Sequence, residues 1–202
     1  PTGPRIPRAE LDRLRKGLRG DILLVIDEAY GEFADHLGEP LFDLVSRGDT
    51  VILRTFSKAY GLAGIRVGWG LFPENIASEV RKVMNPNNVS VAGQTAAATA
   101  LSDQAYMRET CAITAGLRDG FSNRLRKVGF YIAESFTNFA LIRFYDAQAA
   151  QQADAILRAE GVVARAQSVA GLPDCLRVTV GTAEDLDLAA SLLEHRAKGG
   201  KA

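Results

Sequence analysis

The chain has 202 residues, with 24 lysine and arginine residues balanced by 24 aspartate and glutamate residues, and it contains only two cysteines. This length suffices for one large or two small domains, and the balanced charge predicts neither a nucleic-acid nor a membrane partner, so any anion must be bound locally. We expect a cytoplasmic protein without a metal centre, because the sequence shows no signal peptide or apolar membrane span and its separated cysteines lack metal-ligand spacing.

The first half of the chain predicts alternating helices and strands, which favour an α/β architecture. Pro7 can open a helix that ends at Gly20. Residues 21–26 and 50–55 are short, continuously apolar runs, which are typical of strands buried on both faces of a sheet. The other elements predicted in this half are an exposed loop at 33–40, helices at 41–46 and 73–84, and a third strand at 65–72.

The second half predicts a smaller α+β domain. Residues 85–88, with the sequence NPNN, are the clearest break in the pattern, and we place a domain boundary between 86 and 87. A long helical stretch follows, after which short strands alternate with helices. The predicted helices are at 91–128, 147–160 and 183–195, and the predicted strands are at 131–135, 138–144, 162–166 and 175–180.

Lys58 follows the strand predicted at 50–55 and is the first candidate for a chemical role. A lysine beside a buried strand loses solvation, which lowers its pKa and makes a neutral amine available for Schiff-base formation with a carbonyl. Thr55 and Ser57 add hydroxyls and Arg66 adds a guanidinium, a set suited to one phosphate. Together they predict a phosphorylated aldehyde as the ligand, although position alone would also suit a lysine that extends to solvent.

Asp27 ends the other apolar run, at the edge where open α/β sheets bind ligands. A pyridine-ring cofactor needs an anion facing its ring nitrogen, because a protonated ring is the better electron sink. Tyr30 could direct its phenol toward the ring oxygen of such a cofactor. The Asp27–Glu28 pair is also typical of P-loop ATPases and resembles a helicase box, but those proteins need a Gly-Lys-Ser/Thr phosphate loop, which this sequence lacks.

Arg177 lies within the alternating strand predicted at 175–180. A charge inside an apolar strand needs a partner, and a guanidinium could bind a substrate carboxylate or phosphate through two parallel hydrogen bonds. An arginine that faces water from an edge strand would produce the same pattern. Both interpretations of Arg177 remain open from its position alone.

Three segments together resemble a known family. Residues 55–68 (TFSKAYGLAGIRVG) are similar to the lysine signature of the class I/II pyridoxal-phosphate-dependent aminotransferases. Within that family, residues 25–30 (VIDEAY) and 176–182 (LRVTVGT) look most like those of the histidinol-phosphate aminotransferases. The resemblance implies fold type I: an α/β part of the large, mainly parallel-sheet domain at 1–86, then a connecting helix and a small C-terminal domain at 87–202.

The same resemblance implies a role for each candidate residue. Lys58 would be the Schiff-base lysine for pyridoxal 5'-phosphate, Asp27 would pair with the ring nitrogen, and Tyr30 would hydrogen-bond the ring oxygen. Arg177 would bind the anionic end of the substrate. Three residues would hold the cofactor phosphate: Thr55, Ser57 and Arg66.

The activity that the resemblance implies is amino transfer from histidinol phosphate to 2-oxoglutarate, a step of histidine biosynthesis that yields imidazole acetol phosphate and glutamate. The resemblance also implies that the enzyme is a homodimer. The alternatives are an aromatic aminotransferase or a threonine-phosphate decarboxylase of the same superfamily, or an inactive fragment of such an enzyme. Members of the family are longer, and residues 1–3 resemble the end of their Asn-Pro-Thr-Gly motif. We therefore expect that the first half of the fold, including part of the site, is missing or supplied elsewhere.

Overall fold

A computed structural model describes residues 2–38 and 41–199. The chain forms two compact units: the first unit is Ile6–Cys111, and the second unit is 112–199 together with 2–5. Within the described residues, no helix combines the length and the apolar character needed to cross a membrane.

The first unit is built around a three-stranded sheet. Strands β1 and β2 are parallel and β3 is antiparallel to β2, so β2 is the central strand. Ile52 of β2 is fully buried and packs with Leu11 and Leu44 from helices on the sheet. The elements are helix α1 (Arg8–Gly17), β1 (Leu24–Asp27), a 3-10 helix (Leu41–Arg47), β2 (Thr50–Thr55) and β3 (Gly68–Leu71).

The third strand is shorter than the sequence predicts. The prediction was a strand at 65–72, but β3 begins only at Gly68. Ala63–Ile65 forms a 3-10 turn, and Arg66 has a left-handed backbone with φ of 61°, which cannot continue a strand. At Gly68 a Cβ atom would lie 2.9 Å from the carbonyl oxygen of Arg54, so glycine permits the close approach of β3 to β2.

Two predictions of burial in the first unit were wrong. Strand β1 is not buried on both faces, since Val25 is 52% exposed at the edge of the described sheet. The loop predicted as exposed at 33–40 contains a 3-10 turn at Asp35–Leu37, and Phe33 is buried against Tyr60 and its neighbours. Residues 39–40 of that predicted loop lie outside the described residues.

The long helix predicted at 91–128 is two helices, interrupted at Asp103. Ser90 caps the first of them by accepting a hydrogen bond from the Gly93 N–H at 3.1 Å. The division between the two units lies between Cys111 and Ala112, inside the second of these helices. The helices of this part of the chain are α2 (Glu74–Val83), α3 (Val91–Ser102) and α4 (Gln104–Lys127).

The second unit packs helices against an antiparallel sheet in the order β4-β5-β7-β6. Its core includes fully buried leucines from α4, α5 and α6, namely Leu125, Leu157 and Leu193, which pack with Ile142 of β5. The elements are β4 (Tyr131–Ile132), β5 (Phe139–Arg143), α5 (Ala147–Ala159), β6 (Arg165–Gln167), β7 (Leu172–Thr179) and α6 (Ala183–Gly199).

Strand β4 stops after two residues, whereas the sequence predicts a strand over 131–135. The cause is a buried hydroxyl pair, Ser135 and Thr137, whose oxygen atoms lie 2.9 Å apart. Ser135 Oγ donates to the Phe139 carbonyl at 2.7 Å, and Thr137 Oγ1 accepts from the Phe139 N–H at 3.2 Å. These side chains satisfy backbone groups that a longer strand pair would otherwise use.

Both cysteines are free. Burial raises the pKa of the Cys111 thiol to about 11, and the nearby carboxylates of Glu32 and Asp35 act in the same direction. Burial likewise raises the pKa of Cys175. Neither thiol has the depressed pKa that a nucleophilic cysteine needs, so both are packing residues.

Candidate functional site

The candidate residues of the first unit follow two neighbouring strands. Strands β1 and β2 are parallel, and Asp27 at the end of β1 is paired with Leu53 of β2. Their carboxyl ends therefore meet at one edge of the sheet, where open α/β folds bind ligands. The segment after β1 carries Tyr30, and the segment after β2 carries Lys58.

Lys58 lies in a tight turn immediately after β2. The Gly61 N–H donates to the Lys58 carbonyl at 3.0 Å, and Gly61 has a φ of 69°, which glycine adopts without strain. Lys58 is half-buried, and its Nζ atom lies 5.4 Å from the centre of the Tyr30 ring. The fold thus brings together an amine and a phenol that are 28 residues apart in the sequence.

The three residues predicted to hold a phosphate also lie together. Thr55 Oγ1 accepts a hydrogen bond from the Ser57 N–H at 3.1 Å. Arg66 Nη1 lies 3.5 Å from Ser57 Oγ and donates to the Ala63 carbonyl at 2.8 Å. Arg66 is exposed, and among the described residues it is the one non-glycine residue with a positive φ, a strained geometry that recurs at ligand sites.

Asp27 is exposed at the end of β1. Its Oδ1 atom accepts a hydrogen bond from the Ala29 N–H at 3.0 Å, which orients the carboxylate. Within the described part of the chain Asp27 makes no ion pair, in contrast to its neighbour Glu28. A carboxylate that is held by its own backbone and not neutralised by a neighbouring side chain can receive a cationic group such as a protonated ring nitrogen.

The donor set of the first unit fits pyridoxal phosphate. An amine can react with the aldehyde, a carboxylate can face the ring nitrogen, and a phenol lies beside the amine. Two hydroxyls and a guanidinium form a group of the kind that binds phosphate. We regard this edge of the first unit as the candidate cofactor site.

Arg177 lies on β7 in the second unit, opposite Leu141 of β5. It is half-buried, and its buried Nε atom has no hydrogen-bond partner in the described part of the chain. The guanidinium carbon lies 4.9 Å from the centre of the Phe139 ring, a cation–π contact that leaves the outer nitrogen atoms available. A buried N–H without a partner is costly, so this geometry favours an anion-binding arginine over one that merely faces water.

Sequence reasoning missed a buried charge cluster around Arg54. The guanidinium donates from Nε to Glu28 at 2.9 Å and from both Nη atoms to Asp35 at 2.8 Å, and Glu32 lies 3.6 Å away. The available signal was an arginine within an apolar strand, the same signal that drew attention to Arg177. Its acidic partners lie 19 to 26 residues earlier, so no local pattern connects them.

Glu32 is the least satisfied member of this cluster. Its side chain is 3% exposed, and no described residue makes a hydrogen bond with its buried Oε2 atom. Burial raises the pKa of Glu32 above its ordinary value, although the neighbouring Arg54 counteracts part of that effect, and the negative charges of Asp35 and Glu28 add to it. Folding therefore shifts Glu32 toward its protonated form relative to the unfolded chain.

This pKa shift predicts how stability depends on pH. Because the pKa of Glu32 is raised in the folded state, Glu32 stabilises the fold fully only below its unfolded-state pKa of 4.5. This stabilisation is lost as the pH rises through the folded-state pKa. We expect Glu32→Gln to remove this loss, so that the variant is more stable than the wild type at pH 8, by about 1 kcal/mol, but not at pH 4. Chemical denaturation at pH 4 and pH 8 measures this difference in the free energy of unfolding.

Glu109→Gln is the matched control for this prediction, because Glu109 is an exposed carboxylate in the same unit. It should follow the wild-type dependence on pH at every value tested. A Glu32→Gln variant with the same pH dependence as the wild type would contradict the raised pKa of Glu32.

Comparison with known proteins agrees with this chemistry. The sequence profile described as "Aminotransferase class I and II" matches residues 1–193. A histidinol-phosphate aminotransferase of Paramagnetospirillum magneticum is 42% identical over 201 residues, which cover 96% of this chain and 55% of that protein. The histidinol-phosphate aminotransferase of Rhodospirillum centenum is 38% identical over 203 residues, which cover 98% of this chain and 56% of that protein.

A solved structure shares the fold. The crystal structure of histidinol-phosphate aminotransferase from Sinorhizobium meliloti, in complex with pyridoxal-5'-phosphate, matches with a TM-score of 0.90 at 31% identity, covering 98% of this chain and 55% of that one. The chain thus has the fold-type-I α/β fold that the sequence predicts, and it spans about half the length of the curated relatives it matches. Since the family profile matches nearly all of it, the chain belongs to the class I and II aminotransferases.

Proposed function

We propose that this chain is part of a pyridoxal-phosphate-dependent aminotransferase that acts on histidinol phosphate and 2-oxoglutarate, and forms imidazole acetol phosphate and glutamate. The observation that carries the proposal is the approach of Lys58 to Tyr30 beside the phosphate-binding group formed by Thr55, Ser57 and Arg66. The names of the relatives at 42% and 38% identity support the substrate. We also propose, from the family resemblance, a cytoplasmic homodimer.

The proposed roles of the residues follow from their chemistry. The amine of Lys58 would react with the aldehyde of the cofactor with loss of water, and Tyr30 would donate a hydrogen bond to the ring oxygen. Asp27 would accept a hydrogen bond from the protonated ring nitrogen. Arg177 would bind the anionic end of the substrate through its guanidinium, whose Nε atom has no hydrogen-bond partner among the described residues. Three residues bind the phosphate: Thr55, Ser57 and Arg66.

When bound, pyridoxal phosphate supplies a protonated ring that takes up the electrons released at the substrate's α-carbon. Asp27 holds the proton on the ring nitrogen, because a carboxylate favours the charged form of a neighbouring base. Lys58, once displaced by the substrate amine, would take up the proton of the substrate's α-carbon on its Nζ atom and would give it back to the cofactor carbon on the other side of the substrate nitrogen. Both transfers need the amine close to those carbons, and the turn after β2 restricts its position.

Two enzymes of the same superfamily remain as alternatives, an aromatic aminotransferase and a threonine-phosphate decarboxylase. The structure of L-threonine-O-3-phosphate decarboxylase from Porphyromonas gingivalis also matches, but at 22% identity it supports the shared fold alone. Arg177 could bind a carboxylate or a phosphate, so it does not separate these substrates. An inactive fragment is the third alternative, and the mass of the intact gene product tests it.

The proposal is tested by assaying the complete gene product with pyridoxal phosphate. We expect borohydride reduction to fix the cofactor covalently on Lys58, as detected by peptide mass. We also expect kcat/KM for histidinol phosphate to exceed that for phenylalanine or threonine phosphate at least about tenfold, because phenylalanine lacks the phosphate and threonine phosphate lacks the imidazole ring. Faster release of CO2 from threonine phosphate, or faster transfer from phenylalanine, would overturn the proposed substrate.

A further inference from the structure

Arg54 lies on β2, four residues before Lys58, and has no part in the chemistry proposed above. Its side chain is buried, yet it binds both ends of the segment 28–35 that follows β1. Nε donates to Glu28 Oε2 at 2.9 Å. The two Nη atoms donate to the two carboxylate oxygens of Asp35, each at 2.8 Å, in a parallel pair of hydrogen bonds.

The guanidinium also contacts the middle of this segment. A methyl group at position 31 would lie 2.8 Å from Arg54 Cζ, so Gly31 lets the backbone lie directly against the guanidinium. The Phe42 ring centre is 4.9 Å from the same carbon, and that ring packs edge-on against Trp69 of β3 at 5.8 Å. The guanidinium is therefore enclosed, and it cannot shift without losing contacts on several sides.

Tyr30 lies inside the segment that Arg54 holds. Glu28 precedes Tyr30 by two residues, Gly31 follows it directly, and Asp35 comes five residues after it. Since β2 and the turn after it carry Lys58, one guanidinium connects the backbone around Tyr30 to the element that carries the lysine. A bidentate arginine–carboxylate pair fixes direction as well as distance, which a single ammonium cannot do.

We infer that Arg54 is a positioning residue that sets the place of Tyr30 relative to Lys58 without touching cofactor or substrate. The inference rests on the proposed function, because that proposal assigns Tyr30 and Lys58 to the cofactor. Among the described residues, Arg54 is the cation in every ion pair made by the three acidic residues of the segment, so no other side chain there can take its place. These residues are Glu28, Glu32 and Asp35.

The test is Arg54→Lys in the complete gene product, which keeps the charge and removes the paired hydrogen bonds. Without cofactor, we expect amide hydrogen exchange of residues 28–35 to become at least about tenfold faster, while the melting temperature stays within a few degrees of the wild type. With cofactor, we expect kcat per borohydride-trapped Lys58 to fall about 10- to 100-fold, because a small displacement at a catalytic site has an effect of this size. KM should change less than kcat.

Arg19→Lys is the matched control, since Arg19 holds Asp21 through Nε and Nη2 at 2.9 and 3.0 Å in the same unit but is exposed. It should leave both readouts unchanged. Asp35→Asn is a second variant for use if Arg54→Lys unfolds. The side chain of Asp35 is 36% exposed, and this substitution weakens only one of the acceptors of Arg54. We therefore expect smaller changes in amide exchange of residues 28–35 and in kcat per trapped Lys58.

The possible outcomes separate the inference from the proposed function. If Arg54→Lys, or Asp35→Asn in its place, leaves exchange of 28–35 and kcat per trapped lysine within twofold of the wild type, Arg54 does not position Tyr30. A fall in the trapped fraction at unchanged kcat per trapped lysine would also overturn the inference, because it indicates a purely structural role. If the wild type forms no adduct, the proposed function fails, and the exchange rates still decide whether Arg54 holds the segment.

Discussion

Replacing Lys58 with alanine in the complete gene product is expected to remove the covalent attachment of pyridoxal phosphate and to lower kcat at least about 10³-fold. Alanine has neither the amine that bonds the aldehyde nor a base that can reach the substrate's α-carbon. Thr55, Ser57 and Arg66 are unchanged in this variant, so we expect the cofactor still to bind, but reversibly. Peptide mass after borohydride reduction and steady-state rates measure the two effects.

Lys82→Ala is the control for this substitution, because Lys82 is an exposed lysine of the same unit whose amine pairs with Glu79 at 2.6 Å. It should retain the adduct and the activity of the wild type. Since Lys58 is only half-buried, its replacement should change the free energy of unfolding by less than about 1 kcal/mol, so lost activity cannot be attributed to unfolding. A borohydride-stable adduct that persists in Lys58→Ala would place the reactive amine on another residue.

The lysine could be found from the sequence because its signals are local. The apolar run at 50–55 predicts β2 with the bounds that the structure shows, Thr50–Thr55. The turn that follows needs a residue with positive φ, and Gly61 provides it. Strand, turn and lysine lie within twelve residues of one another, so short-range patterns are sufficient to identify them.

The environment of the lysine could not be predicted in the same way. Tyr30 approaches Lys58 only because β1 and β2 pair in parallel, and that pairing depends on the whole sheet. The ion pairs of Arg54 are equally non-local. The left-handed backbone of Arg66 was missed because arginine has no preference for that conformation, so only the surrounding structure can impose it.

Replacing Arg177 with leucine is expected to lower kcat/KM for histidinol phosphate about 10²- to 10⁴-fold, mainly through KM. Two hydrogen bonds between charged groups contribute about 1.5 to 3 kcal/mol each, and leucine makes neither. Because the buried Nε atom of Arg177 has no hydrogen-bond partner among the described residues, replacing Arg177 should not reduce stability by more than about 1 kcal/mol. The kcat/KM of Arg177→Lys should lie between those of the wild type and Arg177→Leu, because lysine keeps the charge but cannot make two parallel hydrogen bonds.

The comparison that decides the role of Arg177 uses a pair of substrates, histidinol phosphate and histidinol. If Arg177 binds the phosphate, Arg177→Leu should reduce the preference for histidinol phosphate and leave the rate with histidinol nearly unchanged. Arg143→Leu removes an exposed arginine of β5 that pairs with Asp174 at 2.7 Å, and it should preserve the preference. An equal loss with both substrates would show that Arg177 acts on the folded structure of the second unit, through its contact with Phe139, and not on the anionic group.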